Sequence, residues 1–314
     1  MLSLTPYCRS TLWGGSRLLK VFSDANLPNL AEAWLVSLHA EGESLAGEET
    51  LSVALKNAGV DQKTCQSLPL IKLIDTDDLL SVQVHPNDQE AFLLDGEHQG
   101  KNEMWYILSA TPDAFIYLNL KSTKDNFLAA LSKNTPTDEL VKVHVKEGDV
   151  FPIPAGMVHA LGKGITLLEI QQQSNLTYRL WDFLRLDANG LPRPLHKEKA
   201  EAVLRPYTKE EIHAFRYDRG DQKSYEIADT EKPNLTPIAN TPYFRVDILE
   251  VAPYCSVSLF ADKTPLVAIG LKGEGEAVSQ DTALPLSFGK TLLLLPKDGK
   301  VTFKGNMRFA LVSL

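Results

Sequence analysis

The sequence predicts a mainly β protein with a closed or sandwiched β architecture and a few short helices. Many short segments are rich in β-branched and aromatic residues and are bounded by Gly, Pro, Asn or Asp, as is typical of strands. Helical spacing of apolar residues is limited to short segments at 48–58, 124–132 and 197–204. This pattern does not fit the regular strand–helix alternation of a parallel α/β sheet.

Predicted strands fall into two groups on either side of a polar, charged stretch at 216–232. The first group covers 80–85, 104–108, 114–118, 140–145, 165–170 and 176–181. The second group covers 243–251, 256–260, 266–271, 291–295, 300–303 and 307–312. We therefore predict two domains, 1–225 and 235–314, of which the second is all-β. A faint similarity between 148–156 and 289–296 suggests that both are barrels of the same type.

Composition and charge restrict the class of protein. The chain has 314 residues, with 44% hydrophobic and 23% charged residues, as in ordinary globular proteins. Its formal net charge of −8 argues against a nucleic-acid partner, because non-specific binding to nucleic acid needs an excess of basic residues. An anionic substrate would have to meet a local concentration of Lys or Arg.

The cysteines and the N-terminal segment predict a cytoplasmic protein. Cys8, Cys65 and Cys255 form no CxxC pair, which favours free thiols in a reducing compartment. The N-terminal segment has no continuous apolar stretch after a basic start, so it does not resemble a secretory signal. The longest aliphatic run, 292–295, is far too short to span a bilayer, so no membrane partner is expected. The sequence leaves protein partners unknown.

Two short segments carry paired polar side chains at strand spacing. In 80–86 (LSVQVHP), Gln83 and His85 share one face of a predicted strand, because side chains alternate with a period of two. In 100–106 (GKNEMWY), Lys101 and Glu103 share a face directly before an aromatic strand. Each segment alone is a weak signal, and the second is equally typical of a solvated ion pair.

A third segment ends in a histidine at a characteristic spacing. Residues 148–159 read G-x5-P-x-G-x2-H and place His159 at the mouth of a strand pair. This spacing matches the second motif of the cupin barrels, without the asparagine that often follows the histidine. The first cupin motif supplies two metal ligands from one strand and a carboxylate from the next, where Gln83, His85 and Glu103 stand.

These four residues form a set of two imidazoles, one carboxylate and one amide oxygen. Such borderline ligands suit zinc and leave room for water or substrate. Two histidines and a carboxylate also describe non-haem iron oxygenases, so the ligand set alone does not decide the metal.

Over nearly its whole length the chain resembles the short form of the type I phosphomannose isomerases. The resemblance rests on segments that occur in order: LWGG at 12–15, AEAWLVS at 31–37, LSVQVHP at 80–86, GKNEMWY at 100–106, VFPIPAGMVHA at 150–160, LEIQQ at 168–172 and YRLWD at 178–182. It implies a cupin-type double-stranded β-helix (jelly-roll) barrel with helical insertions in 1–225. It also implies a smaller cupin-like β domain in 235–314 without metal ligands, and no histidine follows His213.

The resemblance also implies a reaction and its residues. The family interconverts D-mannose 6-phosphate and D-fructose 6-phosphate, an aldose–ketose isomerisation through a zinc-stabilised enediol. One Zn²⁺ per chain would be held by Gln83, His85, Glu103 and His159. Arg179 and Lys101 would be catalytic, and a sugar phosphate would contact four residues: Ser81, Lys101, Glu169 and Arg179.

Two departures from the family leave the proton-shuttling base open. Asn175 replaces an acidic residue that some members carry in a Ser-Asp pair, and Gly100 replaces a histidine of longer members. Glu169, Lys101 and a zinc-bound water remain candidates for the base. Two other functions also remain possible: an iron-dependent cupin oxygenase, and a non-catalytic sugar-phosphate sensor. A sensor would usually carry a DNA-binding helix pair or a basic segment, and neither is visible.

Overall fold

The computed structural model describes residues 1–187, 190–220, 222–223, 225–228, 234–280 and 282–314. Within these ranges the chain forms two compact units. We call them the central unit, Cys8–Ala33 with Lys72–His213, and the terminal unit, Met1–Tyr7 with Trp34–Ile71 and Ala214–Leu314. The predicted division into domains 1–225 and 235–314 stays a prediction.

The helices are few and short, as predicted. Those in the described part of the chain are α1 (Leu51–Asn57), α2 (Gln62–Ser67), α3 (Asp88–Asp95), α4 (Lys124–Ser132), α5 (Lys197–Val203) and α6 (Lys209–Arg216). Short 3-10 helices cover Leu18–Lys20, Ser23–Ala25, Pro136–Glu139 and Pro296–Asp298. Among the described residues, no helix is long and apolar enough to cross a membrane.

Strands make up most of the regular structure, which confirms the mainly β prediction. Up to residue 120 they are β1 (Leu2–Thr5), β2 (Tyr7–Arg9), β3 (Glu32–Val36), β4 (Leu45–Ala46), β5 (Glu49–Thr50), β6 (Leu70–Asp75), β7 (Val82–Val84), β8 (Glu103–Ala110) and β9 (Phe115–Leu120). The next five are β10 (Leu140–His144), β11 (Val150–Ile153), β12 (His159–Leu161), β13 (Ile165–Gln171) and β14 (Tyr178–Trp181). The remaining strands are β15 (Tyr225–Ile227), β16 (Asn234–Asn240), β17 (Arg245–Val251), β18 (Ser256–Ala261), β19 (Leu266–Ser279), β20 (Thr282–Ser287), β21 (Thr291–Leu294) and β22 (Lys300–Ser313).

The strands form three sheets. A five-stranded sheet has the order β10-β9-β12-β7-β14, and a six-stranded sheet has the order β11-β8-β13-β6-β3-β2. The third sheet has eleven strands and lies in the terminal unit. Its main path is β15-β18-β22-β19-β21-β1-β4-β5, so strands from both ends of the sequence pair within it.

In the central unit the five- and six-stranded sheets share an apolar core. Ile116 and Leu161 of the first sheet pack in one cluster with Trp105 and Leu167 of the second. On its other side the five-stranded sheet packs against helices, because Val82 and Val84 belong to a cluster that includes residues of α4 and α5. Gln83, which lies between these two valines, therefore points to the face that meets the six-stranded sheet.

Two differences from the predicted elements have local causes. Helix α3 was not predicted, although Asn87 and Glu90 form a capping box at its start and Gly96 ends it with φ +73°. The strands predicted at 300–303 and 307–312 are one strand, β22. Gly305 lies opposite Gly275 and has φ +129°, so the chain passes through this irregular point without ending the strand.

Candidate metal centre

Metal-binding side chains converge at one point of the central unit. Gln83 is the middle residue of β7 and His85 follows that strand, while His159 begins β12 and Glu103 begins β8. His159 lies opposite Gln83 across the β7–β12 pairing. One ligand atom each from His85, Glu103 and His159 lies within 4.8 Å of the other two, and all three residues are buried. Side chains far apart in the sequence thus share one small space.

Both imidazoles present Nε2 to this space, because main-chain carbonyls hold their other nitrogens. His85 Nδ1 lies 2.7 Å from Leu176 O, and His159 Nδ1 lies 2.9 Å from Met157 O. A carbonyl oxygen only accepts, so each Nδ1 carries the proton and each Nε2 keeps its lone pair. Burial lowers the pKa of His159 to about 4, and burial with the Lys101 ammonium holds the pKa of His85 well below its ordinary value. Both rings are neutral at pH 7, which is the form that binds metal.

The Glu103 carboxylate completes a donor set that fits a divalent cation. It is fully buried, and apart from the Lys101 ammonium 2.7 Å from Oε2 its oxygens have no hydrogen-bond partner among the described residues. Its oxygens lie 3.4 Å from His159 Nε2 and 3.6 Å from His85 Nε2. Leaving a buried carboxylate without such bonds is costly unless a cation compensates it. The two imidazole nitrogens and the carboxylate are ligands of the kind that zinc prefers.

The Lys101 ammonium is the cation that this donor set holds in the structure. Its Nζ lies 2.7 Å from Glu103 Oε2 and 3.2 Å from His85 Nε2. Burial alone would lower the pKa of Lys101, but the carboxylates of Glu103 and Glu169 outweigh that effect and raise it. The amine is therefore charged at neutral pH. Because Glu103 and His85 already attract the Lys101 ammonium, their position is also suited to binding a metal cation.

Gln83 reaches the same donors from β7. Its Nε2 lies 3.3 Å from His159 Nε2, and Ser81 Oγ donates to its Oε1 at 3.4 Å. A 180° rotation of the terminal amide exchanges its oxygen and nitrogen, so Oε1 can turn towards the imidazoles. Ser81 is buried on the same face of the segment, as the period of two predicts.

Arg179 on β14 lies directly beside Gln83 of β7. Two hydrogen bonds to His196 fix its main chain: Arg179 N donates to His196 Nδ1 at 3.1 Å, and His196 N donates to Arg179 O at 2.8 Å. Its guanidinium Nη1 donates to Pro194 O at 2.8 Å, whereas Nε is buried with no partner in the described part of the chain. Burial and the Arg193 guanidinium lower the pKa of Arg179, but from so high a value that the group stays charged.

Glu169 belongs to a buried polar cluster on β13, β8 and β6. Trp105 Nε1 donates to Glu169 Oε2 at 2.8 Å, and the Trp105 and His159 ring centroids lie 5.4 Å apart. Lys72 Nζ lies 3.7 Å from Glu169 Oε1 and donates to Asn175 Oδ1 at 3.3 Å. Burial raises the pKa of Glu169, although the Lys101 ammonium opposes the rise.

Three residues of this region were not predicted from the sequence: Lys72, Trp105 and Gln171. A signal existed for Lys72, which is a single cation in the otherwise largely apolar, fully buried strand β6. Trp105 and Gln171 could have been found by alternation, because Trp105 lies two residues after Glu103 and Gln171 pairs with Glu103 across the sheet. The buried Gln171 Oε1 has no hydrogen-bond partner among the residues that the structure describes.

The structure explains the glycine that replaces a histidine of the longer members. A Cβ at Gly100 would come within 2.3 Å of the Asn87 carbonyl carbon and 2.5 Å of Pro86 O. The main chain is close here because Lys101 N donates to Pro86 O at 2.9 Å. A side chain at position 100 would therefore require the backbone to shift next to Lys101 and Glu103.

Comparisons with known sequences agree on one family. The family model described as phosphomannose isomerase type I, catalytic domain, matches residues 1–107. Mannose-6-phosphate isomerase ManA of Bacillus subtilis is 33% identical over 302 residues, which cover 93% of this chain and 92% of that protein. Mannose-6-phosphate isomerase of Streptococcus mutans is 36% identical over 213 residues, 65% of this chain and 67% of that protein.

Solved structures confirm the predicted cupin-type fold. The mannose 6-phosphate isomerase structure from Bacillus subtilis matches with a TM-score of 0.84 and 26% identity, covering 100% of this chain and 99% of that one. A mannose 6-phosphate isomerase bound with zinc and yttrium matches with a TM-score of 0.74 and 15% identity, covering 99% and 98% of the two chains. At that identity the second match shows the fold alone.

Proposed function

This chain belongs to the type I phosphomannose isomerase family, and we propose that it interconverts D-mannose 6-phosphate and D-fructose 6-phosphate. Two relatives at 33% and 30% identity span 93% and 98% of the chain, and they are a mannose-6-phosphate isomerase and a probable one. The isomerisation moves a proton between C2 and C1 of the open-chain sugar and places negative charge on an oxygen. The site must therefore stabilise that charge and supply a group that takes and returns a proton.

The observation that carries the proposal is the convergence of His85, Glu103 and His159 on one point, with Gln83 beside them. Both imidazole Nε2 atoms and the Glu103 carboxylate face one buried space that already holds the Lys101 ammonium, and a divalent cation would satisfy these donors together. We assign these four residues as the ligands of one zinc ion per chain. A bound Zn²⁺ would supply a Lewis acid that stabilises negative charge on the substrate carbonyl oxygen.

Arg179 and Lys101 supply the positive charge that an anionic substrate needs in this acidic protein. The partnerless Nε of Arg179 supports its assignment as a donor to an oxygen on which charge develops. Lys101 lies next to the donor set and, once a metal replaces its contacts with Glu103, can turn towards the substrate. Ser81 is buried two residues before Gln83 and is assigned to substrate binding.

Glu169 is the carboxylate that we assign to substrate binding and to proton handling. Its Oε2 is held by Trp105, while Oε1 lies 3.7 Å from the Lys72 ammonium. Burial raises its pKa towards the range in which a carboxylate can take and return a proton near neutral pH. The neutral Asn175 accepts from Lys72 and cannot serve as a base itself.

We also propose that the division into domains 1–225 and 235–314 holds and that the protein is cytoplasmic. The eleven-stranded sheet contains every strand from β15 to β22, which supports a β domain at the C-terminal side, and β1, β4 and β5 from the N-terminal part of the chain pair into the same sheet. The three free cysteines are consistent with a reducing compartment.

A coupled assay of fructose 6-phosphate formation from mannose 6-phosphate tests the proposed function. The purified protein should be active, lose activity on treatment with a chelator, and regain it on addition of zinc. Metal analysis of the untreated protein should give one zinc per chain and distinguish zinc from iron. Activity that survives complete metal removal would refute the metal-dependent mechanism, and absence of isomerisation with zinc bound would refute the substrate assignment.

A further inference from the structure

We propose that Asn102 and Gln172 are positioning residues that set the geometry and zinc affinity of the metal centre. They form a buried amide pair that joins the segment carrying Glu103 to the turn carrying His159. The inference rests on the proposed metal site and adds to it two residues that touch no metal ligand atom. It follows from the hydrogen bonds of the two side-chain amides, in which the oxygen and the nitrogen of both Asn102 and Gln172 each have a partner.

Asn102 connects two separate segments through its side chain. Its Oδ1 accepts from Ala155 N at 2.8 Å, and its Nδ2 donates to Gln172 Oε1 at 2.8 Å. Asn102 is buried and stands between Lys101 and Glu103 in the sequence. Its side chain bonds to Ala155 and Gln172, so it fixes the main chain next to Lys101 and Glu103 without occupying the site.

Gln172, which directly follows β13, holds the same segment. Its Oε1 also accepts from Asn102 N at 3.0 Å, and its own N donates to Asn102 O at 3.1 Å. Its Nε2 donates to Asp88 Oδ1 at 2.8 Å, and the same oxygen accepts from Gly100 N at 2.8 Å. The main chain from Gly100 to Asn102 is thus held at two points by the side chains of Asp88 and Gln172 and at a third by the main chain of Gln172.

Ala155 belongs to the turn that leads to His159, and several hydrogen bonds hold the main chain of this turn. Tyr207 Oη donates to Ala155 O at 2.6 Å and Arg205 Nη2 donates to the same oxygen at 3.0 Å. The next residue, Gly156, donates from its N to His85 O at 2.8 Å. This turn is therefore bonded to the His85 main chain and leads to His159. Asn102 joins it to the segment that carries Glu103.

Metal affinity depends on how accurately the ligands are placed, and loss of outer partners typically weakens it about 10- to 100-fold. Removing the Asn102 side chain leaves the buried Ala155 N without its acceptor and releases one of the bonds that hold the Glu103 segment. We therefore expect the ligands to stay in place on average but to lose their common geometry.

The test measures zinc binding directly and so does not depend on turnover. The zinc dissociation constant of the full-length protein is determined by chelator competition for the wild type, Asn102→Ala, Gln172→Ala and the double variant. Each single variant should bind zinc about 10- to 100-fold more weakly. The double variant should lose less than the product of the two single losses, because the two amides act through one shared bond. Substituted Co²⁺ should show an altered visible absorption spectrum in each variant.

Asn240→Ala is the matched control. Asn240 is an equally buried amide of the terminal unit, and its Nδ2 donates to Gly220 O at 2.7 Å and to Gln222 O at 3.1 Å. Its loss should lower the thermal midpoint but leave the zinc dissociation constant within about twofold of the wild type, because the hydrogen bonds of its side chain are made to main-chain oxygens of the terminal unit. A Co²⁺ spectrum like that of the wild type is expected.

Asp88→Ala provides a variant that keeps the fold if the core variants do not. Asp88 is an exposed residue at the outer end of the network, so its removal disturbs no packed core. It should weaken zinc binding less than Gln172→Ala but in the same direction. The inference would be overturned if Asn102→Ala kept the zinc affinity and the Co²⁺ spectrum of the wild type. If the core variants do not fold, the same result in Asp88→Ala would overturn it. An equal loss of affinity in Asn240→Ala would also overturn it, since the effect would then reflect general destabilisation. Failure of the wild type itself to bind zinc would instead refute the proposed metal site.

Discussion

Two buried charged clusters, one in each unit, differ in how their hydrogen bonds are satisfied. In the terminal unit, Asp247 accepts from Arg245 Nε at 2.6 Å, from Arg245 Nη2 at 2.7 Å and from Tyr225 Oη at 2.7 Å. In the central unit, Glu103 is equally buried, but apart from the Lys101 ammonium 2.7 Å from Oε2 its oxygens have no hydrogen-bond partner among the described residues. Side chains of the protein supply the hydrogen bonds of the carboxylate in the first cluster, and we call this cluster closed. The second cluster presents imidazole nitrogens and carboxylate oxygens to one shared space, and we call it open.

The difference separates a structural role from a binding role. A closed cluster has its donors and acceptors matched within the protein, so it acts on folding and has nothing left for a ligand. An open cluster of two neutral imidazoles and a carboxylate is stable only because a cation, here the Lys101 ammonium, compensates the charge. The comparison therefore predicts opposite consequences for substitutions in the two clusters.

The largest expected effect is on metal binding, in His159→Gln. This change keeps a polar side chain of similar size but removes the Nε2 ligand, so zinc binding and isomerase activity should be lost, by more than about 100-fold. The metal-free protein should lose only about 1 kcal/mol of unfolding free energy, the value of the bond to Met157 O. Chelator competition and denaturant unfolding measure the two quantities. Full zinc affinity in this variant would remove His159 from the ligand set.

Asp247→Ala should show the reverse profile. It leaves the buried Arg245 guanidinium without its carboxylate, and breaking such a buried pair typically costs about 3–5 kcal/mol. Denaturant unfolding should show this loss, while the zinc dissociation constant of the folded protein stays near that of the wild type. A large loss of zinc affinity without a loss of stability would contradict the distinction between the clusters.

Arg179→Ala extends the same reasoning to a partnerless donor. Loss of one donor to developing negative charge typically lowers kcat about 100- to 1,000-fold, and zinc content should be unchanged. Arg308→Ala serves as the control, because its guanidinium bonds to Glu250 in the terminal unit and should not affect kcat. Steady-state kinetics with metal analysis measures both. A near-normal kcat in Arg179→Ala would show that the arginine does not act on the reacting atoms.

The smallest expected effect is a pH dependence of stability in the metal-free protein. His85 and His159 have folded-state pKa values below the ordinary value of 6.5, that of His159 about 4. The unfolded chain therefore binds more protons below pH 6.5. The contribution of His159 is fully present above pH 6.5 and is lost as the pH falls towards 4, by up to about 1.4 kcal/mol per pH unit, and His85 acts in the same direction.

Unfolding in denaturant with chelator present, between pH 7.5 and 5, measures this slope. His159→Gln should reduce the slope, and Asp247→Ala should leave it unchanged. A slope that is the same in the wild type and in His159→Gln would show that His159 titrates normally in the folded protein.

The sequence predicted the parts of the site that depend on local periodicity. Alternation placed Gln83 and His85 on one face of a strand, and Val82 and Val84 lie on the other, against helices. Glu103 was found because its segment matched a known spacing. The sequence carried local signals for Lys72 and Trp105, but the contacts of these two residues with Glu169 depend on the pairing of β6, β8 and β13, which no local pattern encodes.

The sequence predicted the mainly β fold class, but it did not predict which distant strands pair with each other. The short strands and few helices follow from residue type and turn residues. The pairing of β1 with β21, in which Leu2 lies opposite Leu293, joins segments nearly the whole chain apart. Such a pairing depends on burial in the finished sheet, and a short apolar segment does not indicate its partner. Helix α3 was missed although its capping box could be read from Asn87 and Glu90.

The Nδ1 atoms of His85 and His159 bond to the carbonyls of Leu176 and Met157, which belong to the backbone and not to side chains. Every amino acid carries that carbonyl, so substitutions at 157 and 176 cannot delete the partner while the backbone keeps its path. Point mutations at positions 157 and 176 should therefore leave the orientation of the His85 and His159 rings unchanged. We expect libraries randomised at 157 and 176 to retain metal binding wherever the protein folds, whereas an insertion in either loop should abolish it.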